Sequence, residues 1–125
     1  MSDASAKRPV VLVVEDDYLI RKGAVAIIHD AGFQVVEADN ADDALEILEA
    51  DSNVHIVFTD IQMPGSIDGL KLAKFVKDRW PPIKIVATSG RLGVDSVDLP
   101  NGVVLVPKPY DPDRLVETLR ELASG

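Results

Sequence analysis

Apolar runs and amphipathic stretches alternate along the whole chain. Short runs of consecutive apolar residues, rich in β-branched side chains, predict strands that are buried on both faces. Five such strands are predicted, at residues 10–14, 33–38, 54–59, 83–88 and 103–106. Between them, apolar residues recur at helical spacing and predict helices at 18–31, 41–50, 70–80 and from 112 onward. Residues 91–102 have room for a short or irregular fourth helix at most.

The residues at the helix ends support this assignment. Gly32 suits the left-handed position after a helix, and Asn40 suits an N-cap. Asp111 caps the last helix, with Pro112 at its first position. Strands that alternate with helices predict an α/β fold with a parallel sheet covered on both faces. Right-handed crossovers then bring the carboxyl ends of all strands to one edge, where open sheets of this type bind ligands.

Composition narrows the possible functions. A length of 125 residues fits one domain, and the absence of cysteine excludes disulfides, thiolate zinc sites and cysteine nucleophiles. The net charge of −8 makes nucleic acid a poor partner, and no apolar run approaches the ~20 residues of a membrane span. Residues 1–8 have no secretory signal pattern and are expected to be a disordered tail ahead of a single domain at 9–125, in a cytoplasmic protein.

Polar residues gather at the predicted carboxyl edge. They are Glu15, Asp16 and Asp17 after the first strand, Asp60 after the third, Thr88 and Ser89 at the end of the fourth, and Lys108 after the fifth. Each motif alone is typical of an ordinary turn or cap, but their convergence on one edge favours a site. The set of oxygen ligands favours Mg²⁺, or a similar hard ion such as Mn²⁺. Asp60 stands alone and is the candidate nucleophile for a phosphoryl group.

Four motifs together resemble the receiver domain of two-component response regulators. They read "VVLVVEDD", "VFTDIQMPG", "KIVATSG" and "VPKPY", and the resemblance covers residues 9–122. It implies a flavodoxin-like, doubly wound five-stranded parallel sheet of order 2-1-3-4-5. The predicted domain at 9–125 is then a receiver domain, and the chain is expected to be its stand-alone form.

The resemblance implies a role for each matching residue. Asp60 accepts a phosphoryl group, and the metal ligands are Glu15, Asp16, Asp60 and the backbone carbonyl of Gln62. Lys108 contacts the phosphoryl oxygens, and its peptide bond to Pro109 is expected to be cis. Ser89 matches the hydroxyl that senses phosphorylation, with Thr88 as the alternative.

The sequence departs from the family pattern at three places. The loop "PGSIDG" is one residue longer than the commonest form, after the metal-binding carbonyl. Leu105 stands where many receivers have a Tyr or Phe that turns inward with the switch, and Tyr110 is expected to be a packing residue. The segment between Ser89 and Lys108 is short.

The leading hypothesis is a phosphoacceptor in a Mg-dependent phosphorelay, with output by protein–protein interaction. The expected partners are a sensor histidine kinase or a histidine phosphotransfer protein, docking on the first helix around Leu19, Ile20, Lys22 and Ile27, and an unknown downstream target. No direct contact with nucleic acid or membrane is expected, and the chain is expected to be a monomer or a weak phosphorylation-dependent dimer.

One alternative is a phosphorylation-independent interaction module. Another alternative is a small phosphatase, which is disfavoured because Gln62 stands where such enzymes have a second Asp. No enzyme activity beyond self-phosphorylation and self-dephosphorylation is expected. Gln62 and Arg91 are expected to tune the rate of self-dephosphorylation.

Overall fold

A five-stranded parallel sheet of order β2-β1-β3-β4-β5 forms the centre of the molecule, as predicted. The computed structural model describes residues 8–50, 53–61, 69–89 and 101–124. The strands are β1 (Val10–Val14), β2 (Gln34–Ala38), β3 (Val54–Asp60), β4 (Lys84–Ser89) and β5 (Val103–Pro107). The helices are α1 (Tyr18–Asp30), α2 (Ala41–Ala50), α3 (Gly69–Arg79) and α4 (Pro112–Ser124). The expected short or irregular helix between β4 and β5 falls on residues that lie outside the described part of the chain.

Two apolar cores lie on opposite faces of the sheet, because successive strand side chains point to opposite faces. Leu12 and Val14 of β1 pack on one face with residues of α2 and α3. Val11 and Val13 pack on the other face with residues of α1 and α4. All five residues of β1 are buried, which explains why its sequence is a continuous apolar run.

The first helix ends where the sequence predicts a turn. Gly32 has a φ of 100°, in the left-handed region. The N–H of Gly32 bonds the carbonyl of His29, and the N–H of Phe33 bonds that of Ile28, which is the Schellman pattern. Phe33 therefore belongs to the helix-ending turn, and β2 begins one residue later than predicted.

The strand ends also differ by one residue from the prediction, in a way that concerns the candidate site. β3 includes Asp60, which pairs with Thr88, and β4 includes Ser89, which pairs with Pro107. β4 starts at Lys84 because the N–H of Ile83 bonds the carbonyl of Trp80 in the preceding turn. Asp60 and Ser89 are thus held by the sheet rather than by loops. Among the described helices, none has the length and apolar content needed to cross a membrane.

Candidate phosphoryl-transfer site

The sheet brings Glu15, Asp60 and Lys108 together from three strands. The N–H of Glu15 bonds the carbonyl of Ala38, so Glu15 extends β1 toward β2. Asp60 is the last residue of β3. The N–H of Lys108 bonds the carbonyl of Ser89, which ties the residue after β5 to the end of β4. The backbone therefore brings Glu15, Asp60 and Lys108 to the carboxyl edge of the sheet, as predicted.

Lys108, which is half-buried, forms an ion triad with two buried carboxylates. Its Nζ lies 2.7 Å from Asp60 Oδ2 and 3.1 Å from Glu15 Oε1. Glu15 is 5% exposed and Asp60 7% exposed, so water screens these charges weakly. One ammonium group holds two acidic groups that would otherwise repel each other.

Burial and the ion triad shift two pKa values. Burial raises the pKa of Glu15, and the nearby Asp60 charge adds to this, while the Asp17 N–H and the Lys108 ammonium oppose it. Burial lowers the pKa of Lys108, but the hydrogen bonds that it donates to Asp60 and Glu15 outweigh burial, and the net pKa is raised. Lys108 therefore stays charged at neutral pH.

The donor set fits a hard divalent cation. Carboxylate oxygens of Glu15, Asp16 and Asp60 lie within 4.8 Å of one another. Asp16 is exposed, so a bound ion would keep contact with water, as Mg²⁺ usually does. Glu15 Oε2 accepts a hydrogen bond from the Asp17 N–H at 3.0 Å, which fixes that carboxylate within the turn. Gln62, predicted to supply a carbonyl ligand, and Arg91 lie outside the described residues.

The two hydroxyl residues at the end of β4 lie on opposite faces of the sheet. Thr88 pairs with Asp60 on one side and Val106 on the other, whereas Ser89 pairs with Pro107. Leu105 pairs with Ala87, two residues before Ser89, so Leu105 and Ser89 share a face. Thr88 is 2% exposed, and within the described part of the chain its Oγ1 has no hydrogen-bond partner.

The residues after β5 shape the mouth of the site. The Lys108–Pro109 peptide bond is cis, as predicted. The ring of Tyr110 packs edge-on against Phe58 with centroids 5.7 Å apart, which confirms its predicted packing role. Burial raises the pKa of the Tyr110 hydroxyl, with Lys108 opposing the shift. Ile20, Lys108, Pro109 and Tyr110 line an open depression beside the ion triad.

The start of α1 exposes apolar side chains next to this depression. Tyr18, Leu19 and Ile20 are 61%, 78% and 40% exposed. Ile27, by contrast, packs half-buried against the core between the sheet, α1 and α4. The predicted docking surface therefore centres on the first turn of α1 and does not include the side chain of Ile27 to the same degree.

Arg21 is a residue at this site that the sequence reasoning missed. Its Nη1 donates to the carbonyl oxygen of Glu15 at 2.8 Å, and its Nε donates to Glu37 of β2 at 3.1 Å. The sequence offered one signal, a basic residue one helical turn after the acidic run. Its partner Glu37 is 16 residues away, and only the pairing of β1 with β2 brings it near.

Comparisons with known proteins agree with this geometry. The family model of the response regulator receiver domain matches residues 11–120. The chain is 33% identical over 123 residues to the hydrogenase transcriptional regulatory protein HoxA of Cupriavidus necator, covering 94% of this chain and 24% of that protein. It is 34% identical over 116 residues to the sensor kinase CckA of Brucella abortus, covering 90% of this chain and 12% of that protein. A crystal structure of a response regulator receiver protein from Pseudomonas putida superposes with a TM-score of 0.82 at 29% identity, over 91% and 97% of the two chains. The chain thus spans about a quarter or less of the length of these two curated relatives.

Proposed function

The chain belongs to the response regulator receiver domain family, and from this premise we propose that it accepts a phosphoryl group on Asp60. The donor is a phosphohistidine of a sensor histidine kinase or a histidine phosphotransfer protein. A carboxylate oxygen of Asp60 forms the new bond to phosphorus, the bond from phosphorus to the imidazole nitrogen breaks, and the nitrogen keeps the electron pair. The product on this chain is an aspartyl phosphate.

The partly buried contact between Lys108 and Asp60 is the observation that carries the proposal. The ammonium lies 2.7 Å from Asp60 Oδ2, already at the nucleophile. Its raised pKa keeps it protonated, so it stabilises the negative charge of phosphoryl oxygens as the new bond forms. A lysine that served the fold alone would have no need of two buried carboxylate partners, which are costly to desolvate.

Divalent metal completes the charge balance of the site. Glu15, Asp16 and Asp60 would hold Mg²⁺, with the Gln62 carbonyl as the fourth protein ligand. The ion, when bound, neutralises the charge that an incoming phosphoryl group adds to the acidic cluster. The protein's part is to hold these carboxylates within 4.8 Å of one another before the ion arrives.

Ser89 is the proposed switch residue. It ends β4 beside the site, and it shares a sheet face with Leu105, the position three before Lys108. A hydroxyl that moves toward the phosphoryl group would leave space on that face, which half-buried Leu105 can enter. Thr88 remains the alternative, because its side chain lies on the opposite face, which it shares with its strand partner Asp60.

The proposed partners follow from the exposed surface. The first turn of α1 presents Tyr18, Leu19 and Ile20 next to the site, which suits a kinase or a phosphotransfer protein. The output is proposed as protein contact, because a net charge of −8 disfavours nucleic acid as the partner of this domain. The stand-alone form, the monomeric or weakly dimeric state and the cytoplasmic location stay predictions.

One observation favours a second candidate, a phosphorylation-independent interaction module. Leu105 has no aromatic ring to couple a moved hydroxyl to the surface. Such a module would bind its partner equally well when Asp60 is replaced by asparagine, whereas a phosphorylation switch would lose the response to phosphorylation.

The proposed function is tested with acetyl phosphate as the donor. Wild-type protein should gain the mass of one phosphoryl group when Mg²⁺ is present and should gain none when the metal is chelated. The Asp60→Asn variant should gain none in either condition. Equal labelling of wild type and variant would mean that the nucleophile is another residue.

A further inference from the structure

Arg21 connects the metal-binding turn to a neighbouring strand. Its side chain is only 12% exposed, which is unusual for an arginine on the first turns of a helix. Nη1 donates to the Glu15 carbonyl oxygen at 2.8 Å, and Nε donates to Glu37 Oε1 at 3.1 Å. The two contacts use different nitrogens of one planar group, so the guanidinium holds its position relative to both partners.

The anchor at Glu37 is itself well held. Glu37 lies on β2, where it pairs with Val13 of β1. Its second oxygen accepts a hydrogen bond from Lys22 Nζ at 2.9 Å. The hydrogen bond from Lys22, with a further one from Arg21, lowers the pKa of Glu37, so this anchor is ionised at neutral pH.

The Glu15 carbonyl belongs to the peptide group that joins Glu15 to Asp16. The orientation of this peptide plane sets the direction in which both acidic side chains leave the backbone. Glu15 is further restrained by the bond from the Asp17 N–H, but among the described residues Arg21 is the side chain that holds the carbonyl. A rotation of this peptide would separate the oxygens that now lie within 4.8 Å.

We propose that Arg21 is a positioning residue of the metal site, which holds the Glu15–Asp16 peptide in the orientation that aims both carboxylates at the cation. This inference rests on the proposed function, because it concerns the metal site of the same phosphoacceptor. Groups outside the ligand set that orient the ligands commonly change metal affinity by about 10- to 100-fold when removed.

Charge and positioning predict opposite results for the loss of Arg21. A positive charge close to a cation site weakens binding, so removing Arg21 would tighten Mg²⁺ binding if its charge dominated. Glu37 neutralises that charge at 3.1 Å, which leaves the hydrogen bond to the carbonyl as the main effect. The positioning role therefore predicts weaker binding.

The experiment compares Arg21→Met and Arg21→Lys with Lys22→Met as the matched control. Lys22 pairs with the same Glu37, but within the described residues it makes no hydrogen bond to the turn at Glu15–Asp17. Mg²⁺ affinity is measured by calorimetry on the unphosphorylated protein, and urea unfolding is measured separately. Arg21→Met should bind Mg²⁺ roughly tenfold more weakly or worse, and Lys22→Met should stay within about twofold of wild type. In acetyl phosphate labelling, Arg21→Met should need more Mg²⁺ for half-maximal rate and should reach the wild-type rate at saturating Mg²⁺.

Arg21→Lys keeps the charge but cannot bond Glu37 and the Glu15 carbonyl through two separate nitrogens. It therefore supplies the same test if the methionine variant does not fold. The positioning role predicts weaker Mg²⁺ binding for this variant too, whereas a charge effect predicts no change. Wild-type or tighter affinity in a folded Arg21 variant would overturn the inference. Failure of the wild-type protein itself to bind Mg²⁺ would instead overturn the proposed function.

Discussion

Replacing Lys108 by methionine tests the ion triad most severely, because it removes the one ammonium between two buried carboxylates. Methionine keeps a similar length and loses the charge. The variant leaves Glu15 and Asp60 facing each other at 5% and 7% exposure. The expected result is a large loss of folding stability in the absence of metal.

The size of this loss follows from two independent estimates. Two unit charges 4.8 Å apart, the outer separation of the cluster's carboxylate oxygens, repel by about 3.5 kcal/mol at an effective dielectric constant of ~20. A proton can relieve this repulsion, and protonating a carboxylate of ordinary pKa 4.5 at pH 7 costs about 3.4 kcal/mol. The loss of unfolding free energy should therefore be about 3 kcal/mol at pH 7.

The pH dependence gives the sign of the effect. In the variant, the repelling pair has a raised pKa, so its folded state binds a proton more tightly than the unfolded chain does, and stability falls as pH rises. At pH 5 the cost of protonation is only about 0.7 kcal/mol, so most of the loss should disappear. Wild-type Lys108 stays protonated between these two pH values because its pKa is raised, so the wild-type protein keeps the ammonium between the two carboxylates at both.

Urea unfolding, followed by the fluorescence of the single tryptophan, Trp80, measures these differences. The measurements are made at pH 5 and pH 7 with the metal chelated, and Mg²⁺ added at pH 7 should restore part of the lost stability. Lys22→Met is the control, and it should cost less than about 1 kcal/mol because that ion pair is exposed. A Lys108→Met variant as stable as wild type at pH 7, or equally destabilised at both pH values, would refute the reasoning.

Four further substitutions have expected outcomes. Glu15→Gln should raise the melting temperature of the metal-free protein, because burial raises the pKa of Glu15 and so disfavours its charged form. The same substitution should weaken Mg²⁺ binding. A lower melting temperature of the metal-free variant would contradict this reasoning. Gly69→Ala should cost about 2 kcal/mol or more in unfolding free energy, because a Cβ there would overlap the backbone of Asp60. A Cβ at Gly23 in α1 meets nothing within 4 Å, so Gly23→Ala should stabilise by roughly 0.5–1 kcal/mol. Equal effects of the two substitutions would contradict the close approach of Gly69 to the end of β3. Thr88→Val should stabilise by about 1 kcal/mol, since the buried hydroxyl has no partner in the described part of the chain, and a destabilised variant would show that the hydroxyl is bonded.

The fold was predictable because its strands and helix ends are local signals. The apolar run of β1, the glycine after α1 and the Asn40 cap all act within a few residues of where they stand. Asn40 Oδ1 accepts the hydrogen bond from the Asp43 N–H at 2.7 Å, as the cap prediction requires. The strand ends shifted by one residue, because pairing with a neighbouring strand decides where a strand stops.

The site was predictable in part for the same reason. Asp60 and Lys108 were found because each follows an apolar run and because together they match a family pattern. The choice between Ser89 and Thr88 stays a prediction. The strand register, which a single sequence does not contain, places Thr88 beside Asp60 and Ser89 on the face of Leu105. Arg21 was missed because its role depends on Glu37, which the sheet brings close across 16 residues of sequence.

The central claim is that Asp60 carries the phosphoryl group, and chemical mapping tests it directly. Borohydride reduces an aspartyl phosphate to homoserine, so the modified position can be read by peptide mass spectrometry after reaction with acetyl phosphate and Mg²⁺. The account predicts homoserine at position 60 and at no other aspartate. Homoserine at Asp16 or Asp17, or none in a protein that has gained a phosphoryl group, would contradict it.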